Sequence, residues 1–248
     1  GHRTVGGSVT GAIDSNTLPQ QLVSRVDVVT GGASAAYGSD ALAGVVNFVL
    51  DKKFTGIKGE VSGGVTGFGL WNIYQLSAIQ TLALIEIGGS DSQTLIGQGH
   101  VSGSSALAVD NATVAQASWR GIVGLWGNVW QMVDGLQTDA SSKYKIWDKN
   151  GNKTYKTTSL TAPTSNYPIT MATATGTDYD LATVFAAETT SADARNGTYG
   201  DYFYNKAGCV AYHGGHWDYG ASAGLFSLYV TYAASNSTPN IGGRLAKV

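Results

Sequence analysis

The feature that most constrains this chain is the segment GLWGNVWQMVDGL, Gly124–Leu136, read with the distant run HGGHWDYGASAGLFSLYVTYAASNSTPNIGGRL at 213–245. In the first, Leu125, Trp126, Val129, Trp130, Met132 and Val133 crowd a short stretch that also holds Gly127, Asn128 and Gly135. Large flat side chains beside glycine predict close backbone packing, because no Cβ keeps a neighbour away. The second run repeats that chemistry with Gly214-Gly215, Trp217 and short alternating stretches. Two tryptophan-bearing, glycine-flanked segments far apart in sequence each leave an apolar face that needs covering. The expectation is that residues 67–248 form one α+β domain in which Trp126–Val133 is buried against the Gly214–Trp217 turn. Trp126, Trp130 and Trp217 are all expected in the core.

Composition limits what such a domain can do. Charged residues make up 13% of the 248, about half the usual share, while glycine reaches 34 residues and aromatics 10%. Few charges with abundant Gly, Ser, Thr and Tyr is the palette of surfaces that bind through tyrosine and small polar groups. A formal net charge of −2 gives no electrostatic footprint for nucleic acid. No apolar run reaches the roughly 18 residues needed to span a bilayer as a helix. The one cysteine, Cys209, excludes an intrachain disulfide framework. Without an initiator Met or a signal peptide, the chain is expected to be trimmed, processed or a fragment.

The first 66 residues differ in character. LPQQLVSRVDVVTGGASAAYGSDALAGVVNFVL reads as a Pro-started helix, a strand over Val26–Val29, a Gly31-Gly32 turn, a small-residue helix and a strand over Val45–Leu50. Arg25 and Asp27 flank Val26 with strand periodicity. A phosphate-loop reading of VVTGGASAAYGSD fails, since no Lys follows the glycines. A Gly-rich joint, Val61–Gly69, leads to WNIYQLSAIQTLALIEI at 71–87. There Ile73, Leu76, Ile79, Leu82 and Ala83 predict a helix that Gly88-Gly89 stops. Lys143–Ser159 predicts a hairpin around Asn150-Gly151, 163–187 loops and short strands, and Val210–Tyr212 a strand. Asn111–Thr113 matches a glycosylation acceptor, a match expected by chance alone.

Two resemblances attach to these motifs. GNVWQM at 127–132, with GGHW at 214–217 and IGGRL at 241–245, resembles the formylglycine-generating-enzyme-like branch of the C-type lectin fold. More narrowly it resembles phage tail and variable proteins diversified by retroelements, and TLIGQG at 94–99 fits the same relatives. Asp14, Asn16, Leu18, Pro19, Val23, Arg25, Val26, Val28, Gly31–Ser34, Tyr37–Asp40, Ala43–Asn47 and Phe54–Gly56 resemble the C-terminal half of the plug domain of TonB-dependent outer-membrane receptors. The implied organisation is a small α/β plug-like segment at 1–66 ahead of a C-type lectin-like domain at 67–248. The rest is too short and wrongly patterned for the barrel that normally follows a plug. A natural fusion, a reused attachment or oligomerisation module, and an artefact of sequence assignment would each give this arrangement.

Catalytic chemistry finds no complete set of groups in the sequence. Formylglycine-generating enzymes depend on paired cysteines, and this chain has one. His213 and His216 lie close in sequence, but no third metal ligand is evident. There is no G-x-S-x-G nucleophile elbow and no Glu-Pro-Asn-like tripeptide for calcium-dependent sugar binding. The expectation is a non-enzymatic module without cofactor or metal.

The pattern between Gly215 and Ala233 points instead to a contact surface. Gly220, Ala221, Ala223, Gly224, Leu225, Phe226, Leu228 and Val230 read as frame. Between them stand His216, Asp218, Tyr219, Ser222, Ser227, Tyr229, Thr231 and Tyr232. Each of these eight is reachable from an Asn codon by changing only its adenines, as diversification of an Asn-rich template would leave. With Tyr202 and Tyr204 they form the expected ligand site, with Tyr219, Tyr229 and Tyr232 unusually exposed beside Asp218, Ser227 and Thr231. The resemblance implies a host-cell surface protein or glycan as partner, a homo-oligomer such as a trimer, and display on a virion or cell surface. Arg244, a charge among glycines and leucine, needs a partner, either an ion pair such as Asp134 or backbone carbonyls.

Overall fold

The computed structural model describes residues 23–29, 45–50, 68–193 and 199–247. The chain divides into two units, Gly1–Glu60 and Val61–Val248. In the first, β1 (Val23–Val29) pairs antiparallel with β2 (Val45–Leu50), with Val26 opposite Phe48. Both expected strands are there, the first starting three residues earlier. The two expected helices of this unit lie outside the described residues.

The second unit is built on a nine-stranded sheet. β3 (Phe68–Leu70) precedes the main helix α1 (Ile73–Ile87), followed by one-turn helices α2 (Ser92–Leu95) and α3 (Ala112–Ala115). Then come β4 (Trp130–Thr138), β5 (Lys143–Trp147), β6 (Tyr155–Thr161), β7 (Ser165–Met171), β8 (Ala187–Ser191), β9 (Phe203–Asn205), β10 (Val210–His213), β11 (Leu228–Tyr232), β12 (Ile241–Gly243) and β13 (Leu245–Lys247). The sheet runs β6-β5-β4-β10-β11-β9-β7-β8, with β12 pairing parallel to the start of β4, and β13 pairs separately with β3.

Helix α1 forms where expected, and its ends show why. Asn72 caps it, its side chain accepting from the Tyr74 and Gln75 N–H groups, while the Gln75 side chain accepts from the Asn72 N–H to close a capping box. Gly88 ends it at φ 70°, its N–H bonded to the Leu84 carbonyl. The buried stripe is Ile73, Leu76, Ser77, Gln80 and Ala83, so Leu82, expected on that stripe, faces out with Ile85. At 100° per residue position 82 lies nearly opposite the middle of that stripe.

The hairpin expected at 143–159 exists as β5 and β6, with Trp147 opposite Tyr155. Its connection is longer than a two-residue turn. Asp148 organises it by accepting from the Asn150 N–H on its side chain and the Gly151 N–H on its carbonyl.

One face of the sheet packs on α1 around Trp71, Leu76, Trp126, Leu136, Ile146, Phe203, Leu225 and Val230, all buried. The two glycine-flanked segments interlock within this core. Gly127 and Asn128 are both left-handed, at φ 70° and 61°, the region Gly and Asn tolerate best. A Cβ on Gly127 would lie 2.7 Å from the His100 carbonyl oxygen, and one on Gly214 3.1 Å from Trp126 Cα. The Gly127 N–H donates to the Gly214 carbonyl, and the Trp217 N–H to that of Asn128. The Asn128 side chain clamps Leu107, accepting from its N–H and donating to its carbonyl. Trp217 itself departs from expectation: it is half-buried, against the His216 ring 5.1 Å away. Its backbone, not its indole, does the joining.

Arg244 takes the carbonyl alternative. It donates to the Val123 and Gly124 carbonyls and to the Gln131 side chain. The suggested partner, Asp134, instead accepts from the Tyr155 hydroxyl at 2.8 Å.

Candidate functional site

Strand alternation sends a second set of side chains to the opposite face of the sheet. From β4 come Trp130 and Met132, while Gln131 and Val133 turn inward. From β10 come Val210 and Tyr212, while Ala211 and His213 turn inward. Tyr229 comes from β11 and Tyr204 from β9. Trp130, Tyr212 and Tyr229 are buried, and Met132, Tyr202, Tyr204, Val210, Tyr219, Tyr232 and Ile241 pack against them half-exposed. The result is an aromatic layer distinct from the main core.

Its rings meet mostly edge to face, the arrangement their quadrupoles favour. Trp130 lies 4.7 Å from Tyr219 at 78° and 4.5 Å from Tyr229. Tyr229 touches Tyr219, Tyr204 and Tyr202 at 5.2, 5.9 and 6.1 Å. Tyr167 stands on Tyr202 at 5.1 Å, and Tyr232 on Tyr212 at 5.7 Å. His216 closes the layer against Tyr219 and Trp130.

Tyr229 and Tyr232, three apart, share this face because of a β-bulge. Val210 pairs with Tyr232 and Ala211 with Val230, which leaves Thr231 as the extra residue. Without that insertion Tyr232 would point into the main core.

The ten expected site residues therefore divide. Tyr202, Tyr204, His216, Tyr219, Tyr229 and Tyr232 come together in the layer, and Asp218 is exposed next to it, its N–H donating to His216 Nδ1. Ser222 is half-buried at the end of a 3-10 turn, Gly220–Ser222. Five residues correct the expected exposure, Tyr219 and Tyr232 being only half-exposed and the other three buried. Ser227 is fully buried and donates to the Tyr202 carbonyl. Thr231 is buried at the bulge, and Tyr229 is only 6% exposed. Neighbouring rings cover Tyr229, so it supports the layer as much as it presents it. Trp130, Met132, Tyr212 and Tyr167 were missed as members. A period-two reading of W-Q-M and V-A-Y would have put the first three on one face.

The middle of the layer is electrically quiet. Burial raises the Tyr219 and Tyr229 hydroxyls above the ordinary phenol range, and the groups acting on them electrostatically are other tyrosines. Burial lowers the His216 imidazole, with Asp218 opposing. Lys206 stands at the edge, its ammonium 5.9 Å above the Tyr204 ring. Hydroxyls and ring edges without fixed charge suit contact with a macromolecular surface.

The loop that carries His216 to Ser222 is tied down from below by buried groups. His213 Nε2 and Gln80 Nε2 both contact the Leu225 carbonyl at 2.8 Å. The Leu225 N–H donates to Ser92 and the Phe226 N–H to Asp201. Gln93 donates to the Gly220 and Ala223 carbonyls. Burial depresses His213 to about 4 and raises Asp201 well above the usual carboxylate range. Among the described residues no group of three or more His, Cys, Asp or Glu could hold a metal ion.

The fold and this face define a β-rich scaffold with an aromatic layer on one side of its sheet. At the other end of the sequence, residues 1–45 match the family model of the TonB-dependent receptor plug domain. That match agrees with the plug resemblance of the N-terminal segment, and it covers 45 of the 248 residues.

Proposed function

We propose that this chain is a non-enzymatic binding module, in which a C-type lectin-like domain displays a variable aromatic face to a protein or glycan on a host-cell surface. The observation that carries the reading is the gathering of Tyr202, Tyr204, His216, Tyr219, Tyr229 and Tyr232 on one face of the sheet. Tyrosine gives large contact area for little lost side-chain entropy, and the adjacent Asp218 and Ser222 supply adaptable hydrogen bonds. In this reading the side chains that change between variants are the half-exposed ones, and Trp130, Tyr212 and Tyr229 form a fixed floor. The module works without cofactor or metal, as a homo-oligomer on a virion or cell surface.

The test is binding of the labelled full-length protein to a panel of intact bacterial cells. Tyr219→Ala, Tyr204→Ala and Asp218→Ala should weaken binding at least tenfold, with the melting temperature lowered by several degrees in the two tyrosine variants, which lose ring contacts, and nearly unchanged in Asp218→Ala. Unchanged binding by all three would refute the face. A reverse transcriptase gene nearby, with an Asn-rich near-copy of the C-terminal coding segment, would independently support diversification.

The plug match favours a second reading, in which the chain is part of a TonB-dependent receptor of the outer membrane. A reading frame continuing into a barrel would support it over the first.

A further inference from the structure

On the α1 side of the second unit, away from the aromatic layer, Trp71, Ala78, Ile79, Val109, Ile122 and Leu245 wall a cleft of about 700 Å³. That is within the size and apolar make-up of small-molecule sites. Val109 and Leu245 stand exposed at its rim, 68% and 66% accessible.

Arg244 also lines this cleft. Its guanidinium lies 5.5 Å from the Trp71 ring centroid, and its donors Nε and Nη2 are committed to Gln131, Val123 and Gly124. All three partners are neutral. The ion pairs among the described residues are Arg120 with Glu86 and Lys156 with Asp148 and Asp178, so no carboxylate of the described residues pairs with Arg244. The neutral acceptors and the Trp71 face satisfy part of the guanidinium, and the remaining Nη1 N–H groups can donate one charge-assisted hydrogen bond to an anionic oxygen. Apolar walls beside a guanidinium with N–H groups to spare suit a ligand with an apolar tail and an anionic end.

We propose that this cleft binds the free, monomeric anion of an alkyl carboxylate, with its chain along Ile79, Ile122 and Leu245 and its carboxylate on Arg244. The walls select chain length and the guanidinium selects the charged end.

The test is calorimetric titration of the full-length protein with sodium dodecanoate below its micellar concentration. Saturable binding of one dodecanoate per chain is expected. Decanoate, two methylenes shorter, should bind about tenfold more weakly. Dodecan-1-ol and dodecyltrimethylammonium should each bind at least tenfold more weakly, since neither can pair with a guanidinium. Arg244→Met also removes contacts to Val123, Gly124 and Gln131, so the decisive variant is Val109→Glu. It puts a like charge at an exposed rim position that the fold does not use, and should weaken dodecanoate at least tenfold without lowering the melting temperature. Four results would each overturn the proposal: no saturable dodecanoate binding, equal binding of the alcohol or the cation, full affinity in Val109→Glu, or capture by phosphatidylglycerol vesicles in place of the free anion.

Discussion

Replacing Tyr229 by Ser tests whether the aromatic layer is a second core or a loose surface. If Tyr229 were a freely changeable contact residue, its loss would be nearly neutral, as surface substitutions are within about 0.5 kcal/mol. The structure argues otherwise. Tyr229 is 6% exposed, and its ring meets Trp130, Tyr202, Tyr204 and Tyr219. Truncating a buried aromatic costs roughly 3–5 kcal/mol. Water can refill part of this site, so a loss of about 3 kcal/mol is expected. Tyr232, half-exposed with one ring partner in Tyr212, should lose only about 1 kcal/mol on the same replacement. Tyr229→Phe keeps the ring contacts and should stay within about 1 kcal/mol of wild type.

All six tryptophans lie at or beyond Trp71, so intrinsic fluorescence in urea follows the second unit alone. For a domain of this size each kcal/mol moves the melting temperature by about 2–4 °C. Tyr229→Ser should therefore melt about 6–12 °C below wild type, and Tyr232→Ser about 2–4 °C below. Equal, small shifts for the two Ser variants would show that the rings do not support one another, and the layer would not be a core.

Further outcomes follow from the loop supports and the turns. Folded His213 stays neutral down to about 4 while the unfolded side chain takes a proton below about 6.5. Its contribution should be fully present above pH 6.5 and fall as pH drops towards 4, by at most about 1.4 kcal/mol per pH unit; a urea series in which His213→Gln keeps the same slope would refute this. Asp201 acts with the opposite sign. Its folded carboxyl is raised, so its contribution is present below an unfolded value of about 3.8 and is lost as pH rises through the folded value. Asp201→Asn should keep an acceptor for the Phe226 N–H and be stabilising at pH 8, and a destabilised variant there would overturn that assignment. Gly127→Ala puts a Cβ against the His100 carbonyl at positive φ and should cost about 3 kcal/mol or more, whereas Gly151→Ala, at positive φ in open space, should cost about 1. Comparable melting temperatures for the two would contradict the close-approach argument.

What was legible in the sequence was local. Gly88 marks the end of α1 by chemistry that acts within a few residues, whereas the capping box of Asn72 and Gln75 at its start emerged only from the structure. The Gly127-Asn128 and Gly214-Gly215 pairs were readable as sites of close approach because few other residues accept those backbone angles. What was hidden depended on register. Tyr229 and Tyr232 can share a face only through the bulge at Thr231, and nothing in L-Y-V-T-Y announces an extra residue. A strict alternation would have put Tyr232 with Leu228 and Val230.

The same limit explains why codon pattern and burial disagree at Ser227, Tyr229 and Thr231. Codon accessibility describes what a position could become, whereas burial describes what its neighbours will tolerate. Ser227 sits under the Tyr202 carbonyl and Thr231 in the bulge. At these positions a larger replacement would have to displace the frame, because a packed interior has little spare volume. At His216, Asp218, Tyr219 and Ser222, carried on a turn and tied from below through Gly220, Ala223, Leu225 and Phe226, the side chain can change while the tie remains. In the proposed binding reading, a face built this way would separate the groups that hold it from those that would touch a partner, with contact varied in the 216–222 turn and shape kept by β4, β10 and β11.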